Sequence, residues 1–482
     1  MKTNNFASLM NCNNSKNSQL KDNTLYDLKM HKIFPERILK FLIKTCDEET
    51  ILHRQKMFKC FEEIELYQLF SQLKSLISSL EKEHEYFMLS KLNFEKLYFK
   101  AIELKLYFQI LNKITEIAKQ NKFLEGVFSF WNDAKYKDFV EKYMVVGPKL
   151  AELLTSIAEF NIEISDGFSI SSHYEGMNLN VKIEDISKKL GIGINAPKKI
   201  TFHIDKQMDE SLCMLFSSEI KEISMYLKLY DSIEHNVLFE YIAEIDFYLT
   251  ITDINSDLMK NGIEICYPSL SKTKKYYATN AIDVTLCLEN DKQIVSNDIF
   301  FSDRERFFYL VGANGGGKTT YLRTVGINLI LFLNGCPIYA KFADIYPFEK
   351  IYTHFPKNES ATSGRFDLEI SITEQILKSI SDNDFVLFNE TYGSTDAEKA
   401  FHSIAALHKH ITDISVFGIY VTHFHEVKNI CENILTPQIN ESNERLFKIY
   451  RSKGSNSSYA IDILKKYGLD KQSLEARLNK DE

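Results

Sequence analysis

The residues Gly312, Ala313, Asn314, Gly315, Gly316, Gly317, Lys318, Thr319 and Thr320 follow one another with the spacing GxxxxGK[ST], an arrangement made for phosphate. Glycines let the backbone turn tightly enough to aim amide N–H groups at phosphate oxygens, and a helix starting there adds its positive end. Lys318 supplies a charge for the outer phosphates, and Thr319 a hydroxyl for magnesium. ATP and Mg2+ are the expected cofactors. A second pair, Asn389-Glu390, closes the apolar run Phe385 to Phe388. In P-loop hydrolases the first such position holds magnesium indirectly and the second, a Glu, orients the attacking water. Glu390 suits that catalytic role. Asn389 is a departure, because a neutral amide bonds to a metal-bound water without adding charge. The plainer reading of Glu390 is a carboxylate near a helix N-cap. A third run, Ser415 to Val421, leads into Thr422-His423-Phe424-His425. His423 stands where a strand end faces ligand and is the candidate sensor of a γ-phosphate. The alternative, a metal held by His423, His425 and Glu426, has no further ligand in view. His402, His408 and His410 read as helix-surface residues.

These groups need strands that end together. Phe307 to Val311, Phe385 to Phe388 and Ser415 to Val421 are apolar strand candidates, separated by helical patterns over Thr319 to Leu333 and from Ala397. Such alternation predicts a mainly parallel sheet with helices on both faces. Upstream, from about Leu28 to Phe160, Gly and Pro are scarce and apolar residues recur at helical spacing, as in Leu66, Leu69, Phe70, Leu73 and Ile77. Residues 161–204 switch to short alternating stretches, read as a small strand-containing insertion. The expected organisation is α+β and multidomain: a flexible segment over 1–27, an all-α domain over 28–268, and an α/β P-loop NTPase domain over 269–482.

With 482 residues, 44% hydrophobic and 26% charged, the chain has globular proportions and length for a sizeable core. No apolar run approaches the ~20 residues that span a bilayer, and residues 1–23 lack a secretory pattern. A soluble, cytoplasmic protein without membrane partners is expected. Eight cysteines without a CxxC fit reduced thiols better than a zinc site or disulfide framework. The formal net charge of −8 gives no compositional support for nucleic-acid binding.

The ordered set from Gly312 to Thr320, Gly335 to Ala340, Ala361 to Leu377, Asn389 to Thr395 and Val421 to Val427 resembles the ATPase domain of the MutS family, an ABC-like P-loop domain. There the loop reads GPNMGGKS, the acidic strand ends in Asp-Glu, and the sensor strand ends in Ala-Thr-His. Asn314, Lys318, Thr319, Glu390 and His423 match those positions. The resemblance makes the all-α half a MutS-type core and lever, and leaves no room within this chain for a mismatch-reading domain ahead of it. It implies a homodimeric ATPase associated with DNA, without mismatch specificity. The same engine acting on a protein partner, as a remodelling or reactivating factor, is the alternative. It also implies contacts across the dimer from the loops holding Arg365, Ser394 and Thr395. Arg365 has two readings, a cation facing the partner's phosphate or a surface residue.

Overall fold

The computed structural model describes residues 8–10, 18–20, 23–129, 133–158, 161–165, 167–171, scattered positions between 210 and 233, 235–288, 294–356, 365–393, 395–440 and 444–452. The chain divides into two compact units, Met1–Leu9 with Glu63–Asp246, and Met10–Glu62 with Phe247–Glu482. Near the N-terminus, β1 (Ser18–Gln19) pairs antiparallel with β2 (Lys44–Thr45), with α1 (Thr24–Asp27) and α2 (Glu36–Leu42) between them and α3 (Glu48–Glu62) after them. These pieces belong to the second unit. Arg54 of α3 donates through Nε to the Met10 carbonyl at 2.6 Å, and Cys46 donates to Leu333 O at 2.9 Å. The compact division therefore departs from a boundary at 268/269. Helical spacing identifies which residues of α3 are buried, among them Ile51, Phe58 and Phe61, but not what they are buried against. The described parts of residues 1–27 are packed: Leu9, Met10, Leu20 and Leu25 are buried, and Asp27 accepts from Thr353 Oγ1 at 2.6 Å.

The first unit is helical. α4 (Ile64–Leu89) turns back through three residues into α5 (Asn93–Ala118), followed by α6 (Lys122–Val127) and α7 (Ala134–Ala158). The run Leu66, Leu69, Phe70, Leu73, Ile77 and Leu80 is buried along one side of α4, as i, i+3/i+4 spacing requires. Tyr107 of α5 meets Phe139 of α7 edge-on at 4.8 Å. The antiparallel hairpin of β3 (Asn161–Ser165) and β4 (Gly167–Ser171) opens the expected insertion; the rest of that insertion lies outside the described residues. α8 (His235–Lys260) contributes its first half to this unit and its second to the other. Among the described residues no helix is long and apolar enough to cross a membrane.

Besides the β1–β2 pair, the described residues of the second unit form two larger sheets. One is formed by β5 (Ser269–Leu270), β6 (Tyr276–Ala281), β7 (Asn297–Phe301) and β9 (Phe342–Ile345), in the order β5-β9-β6-β7. The other contains β8 (Phe307–Val311), β10 (Ile351–His354), β11 (Phe385–Asn389), β12 (Phe417–Thr422), β13 (Ile434–Ile439) and β14 (Arg445–Arg451), ordered β10-β11-β12-β8-β13-β14. All pairs in it are parallel except β13 with β14. β8 and β12 are buried throughout, which suits continuous apolar runs covered on both faces. The helix after β8, α9 (Lys318–Leu333), packs on β11 and β12 of one sheet and β6 of the other, and is buried almost all round. Its polar groups are paired inside: Arg323 Nε with Asp283 Oδ2 at 2.8 Å, and Asn328 Oδ1 with Tyr339 N–H at 2.8 Å. α10 (Arg365–Leu377) and α11 (Ala397–Ile414) complete the unit.

Candidate functional site

β8 runs up the middle of the parallel sheet and releases the chain at Gly312, and α9 takes it over at Lys318. The turn needs left-handed backbone at Gly315 (φ 76°) and at Gly317 (φ 88°), the residue capping α9. Residues with a side chain adopt that region at a cost. Lys318 is buried, and its Nζ donates to Gly312 O at 2.7 Å, Ala313 O at 3.0 Å and Asn314 Oδ1 at 3.1 Å. Glu390 Oε1 lies 3.6 Å away. Burial pushes the Lys318 ammonium down from its ordinary value, and the carboxylate of Glu390 works against that.

β11 ends beside this loop. Asn389 Oδ1 accepts from the Thr319 hydroxyl at 3.1 Å, so the two residues chosen for magnesium are in contact. Glu390 and Tyr392 both have positive φ, 51° and 67°, a conformation that costs of order 1–3 kcal/mol at a non-glycine residue and persists only where the surroundings hold it. They do. The Glu390 N–H donates to Val421 O at 2.9 Å, and Tyr392 N–H to the buried carboxylate of Glu369 on α10 at 2.9 Å. Thr391 Oγ1 meets His354 Nδ1 at 2.8 Å and the Thr391 carbonyl accepts from the Tyr420 hydroxyl.

The opposite wall comes from β13 and β14. Arg445 donates to Gly315 O at 3.0 Å, and Phe447 lies against Gly317. β14 is tied to β7 by Asn297, which donates to Phe447 O at 3.1 Å and accepts from Ile449 N–H at 2.7 Å. Between the walls opens a cleft of ≈ 780 Å³, lined by Asn314, Gly315, Gly317, Lys318, Thr319, Thr320 and Glu390 on one side and Arg445 and Phe447 on the other. Its size and its mixture of apolar and convergent polar groups suit a ligand of nucleotide dimensions. A smaller cavity of ≈ 120 Å³ is bounded by Gly312, Gly316, His425, Lys428 and Arg445.

The cleft thus gathers the loop residues and Glu390, with Asn389 bonded to its lining. His423 is exposed, its ring 4.1 Å from that of Phe424, and it lines neither cavity. His425 takes the place beside the loop instead, its pKa lowered first by burial and then by Lys428. Thr395 lines neither cavity; the Arg365 side chain and Ser394 lie outside the described residues. Arg445 and Phe447 were not singled out from sequence, and His425 was considered there only as a metal ligand beside His423 and Glu426.

Residues 308–479 match the family model for MutS domain V. Over that stretch the chain is similar to the MutS family. It is 26% identical over 298 residues to the DNA mismatch repair protein MutS of Prochlorococcus marinus (strain AS9601), covering 58% of this chain and 33% of that protein. With MutS of Prochlorococcus marinus (strain MIT 9301) the identity is 24% over 373 residues, or 73% of this chain and 40% of the relative. The DNA mismatch repair protein MSH2 of Saccharomyces cerevisiae (strain ATCC 204508 / S288c) is 30% identical over 151 residues, 30% of this chain and 16% of that protein. The matches therefore span well under half the length of these relatives. The MutS match begins inside β8 and takes in the loop, both following strand ends and the β13–β14 wall; its closing part beyond residue 452 lies outside the described residues.

Proposed function

We propose that this chain binds ATP with Mg2+ and hydrolyses it, as a MutS-type engine that works as a dimer and in association with DNA. One observation carries the reading: Lys318, Thr319, Asn389 and Glu390 converge at the ends of two parallel strands of one sheet, β8 and β11, at the edge of a cleft of ≈ 780 Å³. Two neutral oxygen donors in contact, the Thr319 hydroxyl and the Asn389 amide oxygen, suit a hard cation. They are the groups that would hold Mg2+, which when bound supplies charge neutralisation on the phosphates. Lys318 exchanges its loop carbonyls for phosphate oxygens. Glu390 accepts a hydrogen bond from the attacking water and orients it. Arg445 adds a cation to the wall facing the loop.

DNA association is carried over from relatives named DNA mismatch repair proteins. The helical unit offers cations for it: Lys91, Lys96 and Lys105 are exposed. Lys100, in the same stretch, rests on the ring of Tyr230 at 4.6 Å instead. The net charge of −8 favours the second reading, an ATP-driven factor acting on a protein partner. Phosphate release by the full chain, measured with ATP and Mg2+ at low and moderate salt, with duplex, branched and single-stranded DNA, separates the two. Stimulation that fades as salt rises, equal for matched and mismatched duplexes, is expected. If no DNA binds or alters the rate at low salt, the protein-partner reading replaces it. Absence of ATP turnover under all conditions removes the hydrolase reading itself.

A further inference from the structure

Glu103 presents a problem of charge. It lies in α5, fully buried in the helical unit, and a lone buried carboxylate is costly unless something neutralises it. No lysine or arginine pairs with it among the described residues. Its Oε2 instead collects three neighbours: His84 Nδ1 of α4 at 3.2 Å, His235 Nε2 at the first residue of α8 at 2.5 Å, and the Tyr230 hydroxyl at 2.9 Å. Oε1 is buried with no hydrogen-bond partner among the described residues. The two imidazoles stack with centroids 4.1 Å apart and planes 24° from parallel. A divalent cation would neutralise the acid, using one lone pair from each of the two imidazoles and one from the carboxylate.

We propose that His84, Glu103 and His235 form a binding site for a divalent transition metal of the zinc class. The donor atoms lie within 4.8 Å of one another, and two imidazoles with one carboxylate are a familiar zinc donor set. Zinc–ligand bonds of about 2.0–2.2 Å require neighbouring tetrahedral ligands about 3.3 Å apart. The His84–Glu103 pair already has that spacing, and the His235–Glu103 pair opens by a small side-chain rotation. The Tyr230 hydroxyl donates to the same carboxylate oxygen and helps to fix its orientation. His84 and His235 keep 26% and 13% of their side-chain surface exposed, which leaves an entry path. The metal would clip α4, α5 and the start of α8 together. A fourth coordination position is left for water.

The test uses the full chain, stripped with chelator and titrated with ZnCl2, and in parallel with CoCl2 as a spectroscopic probe. One high-affinity equivalent is expected, with a rise in Tm. The cobalt form should show visible d–d bands and no thiolate-to-metal charge transfer. His84→Gln and His235→Gln should each weaken binding at least tenfold, while Cys266→Ser should leave it unchanged. Failure to bind, a thiolate charge-transfer band on the first equivalent, or affinity unaffected by both glutamine variants would overturn the site. Should either variant fail to fold by circular dichroism, the cobalt spectrum of the unaltered chain decides, since only an all-nitrogen-and-oxygen spectrum is compatible with it.

Discussion

The sharpest test of the cleft compares Lys318→Met with Glu390→Gln. In the structure the Lys318 ammonium is satisfied by two carbonyls and the Asn314 amide oxygen, at 2.7–3.1 Å. A phosphate must therefore displace neutral acceptors, and it wins because hydrogen bonds between charged partners are roughly twice as strong. The surplus from one such bond is about 1.5–3 kcal/mol, so Lys318→Met should weaken nucleotide binding by roughly 10- to 150-fold. Met keeps most of the stem, so the buried packing beside Gly312 survives. Glu390→Gln leaves the phosphate contacts in place and removes a negative charge 3.6 Å from the ammonium; affinity should hold or tighten. Its turnover should fall by about 10²–10⁴, the usual contribution of a positioned base. Equilibrium titration with a fluorescent ATP analogue gives the first quantity and steady-state phosphate release the second. Equal loss of binding in both variants, or Lys318→Met within about threefold of the parent, would refute the assignment of roles.

Asn389→Asp adds a charge beside the Thr319 hydroxyl and should lower the Mg2+ concentration that half-saturates ATP turnover; an unchanged magnesium dependence would remove Asn389 from the cation's surroundings. Gly418→Ala would set a Cβ 2.2 Å from Val386 O of the paired strand. Backbone cannot swing away, so β11 and β12 must part, and urea unfolding should show a loss of about 2–4 kcal/mol; a loss below about 1 kcal/mol would mean the sheet yields there. For His408, partly buried in α11 with its ring 5.6 Å from that of Tyr309, burial lowers the pKa. The unfolded chain then binds the proton first, so stability is present above the unfolded value of about 6.5 and is lost as pH falls through the depressed native one. His408→Gln should flatten the fall in urea midpoint between neutral and acid pH, and matching slopes in variant and parent would count against it.

The phosphate loop was legible because its chemistry sits in nine adjacent residues, and a strand and a helix flank it. Asn389 and Glu390 were legible for a related reason: parallel strands in one sheet end on one side, so a polar pair at the end of an apolar run points where the loop points. His423 followed the same rule and fell outside the cleft. After β12 the chain turns at Phe424 into a short 3₁₀ segment over His425–Asn429, which brings His425 to the loop. One residue of turn is below what strand periodicity resolves. Arg445 and Phe447 lie over a hundred residues beyond the loop and meet it only because β13 pairs with β8 and brings β14 alongside. The helical half was legible as helices, since burial repeats at 3.6 residues. Its partners were not: α3 shows the same amphipathic spacing as α4, yet it belongs with the parallel sheet's unit. Glu103 is invisible in a sequence for the same reason, because its partners stand 19 and 132 positions away.

The strained turn after β11 fixes where the Glu390 carboxylate stands. Glu390 and Tyr392 occupy left-handed backbone without being glycine, and each would relax if its neighbours let go. Val421, Glu369, His354 and Tyr420 hold the loop from β12, α10 and β10. The cost of the strain is met by folding rather than at the moment of reaction, which is what pre-organisation means in energetic terms. The same connections run outward. β10, which holds Thr391 through His354, is bonded through Thr353 to Asp27 of α1. A ligand that moved Glu390 would therefore act on a continuous set of buried and part-buried bonds within this unit. By reciprocity, whatever rearranged α1 or β10 would alter the affinity for that ligand by the same factor.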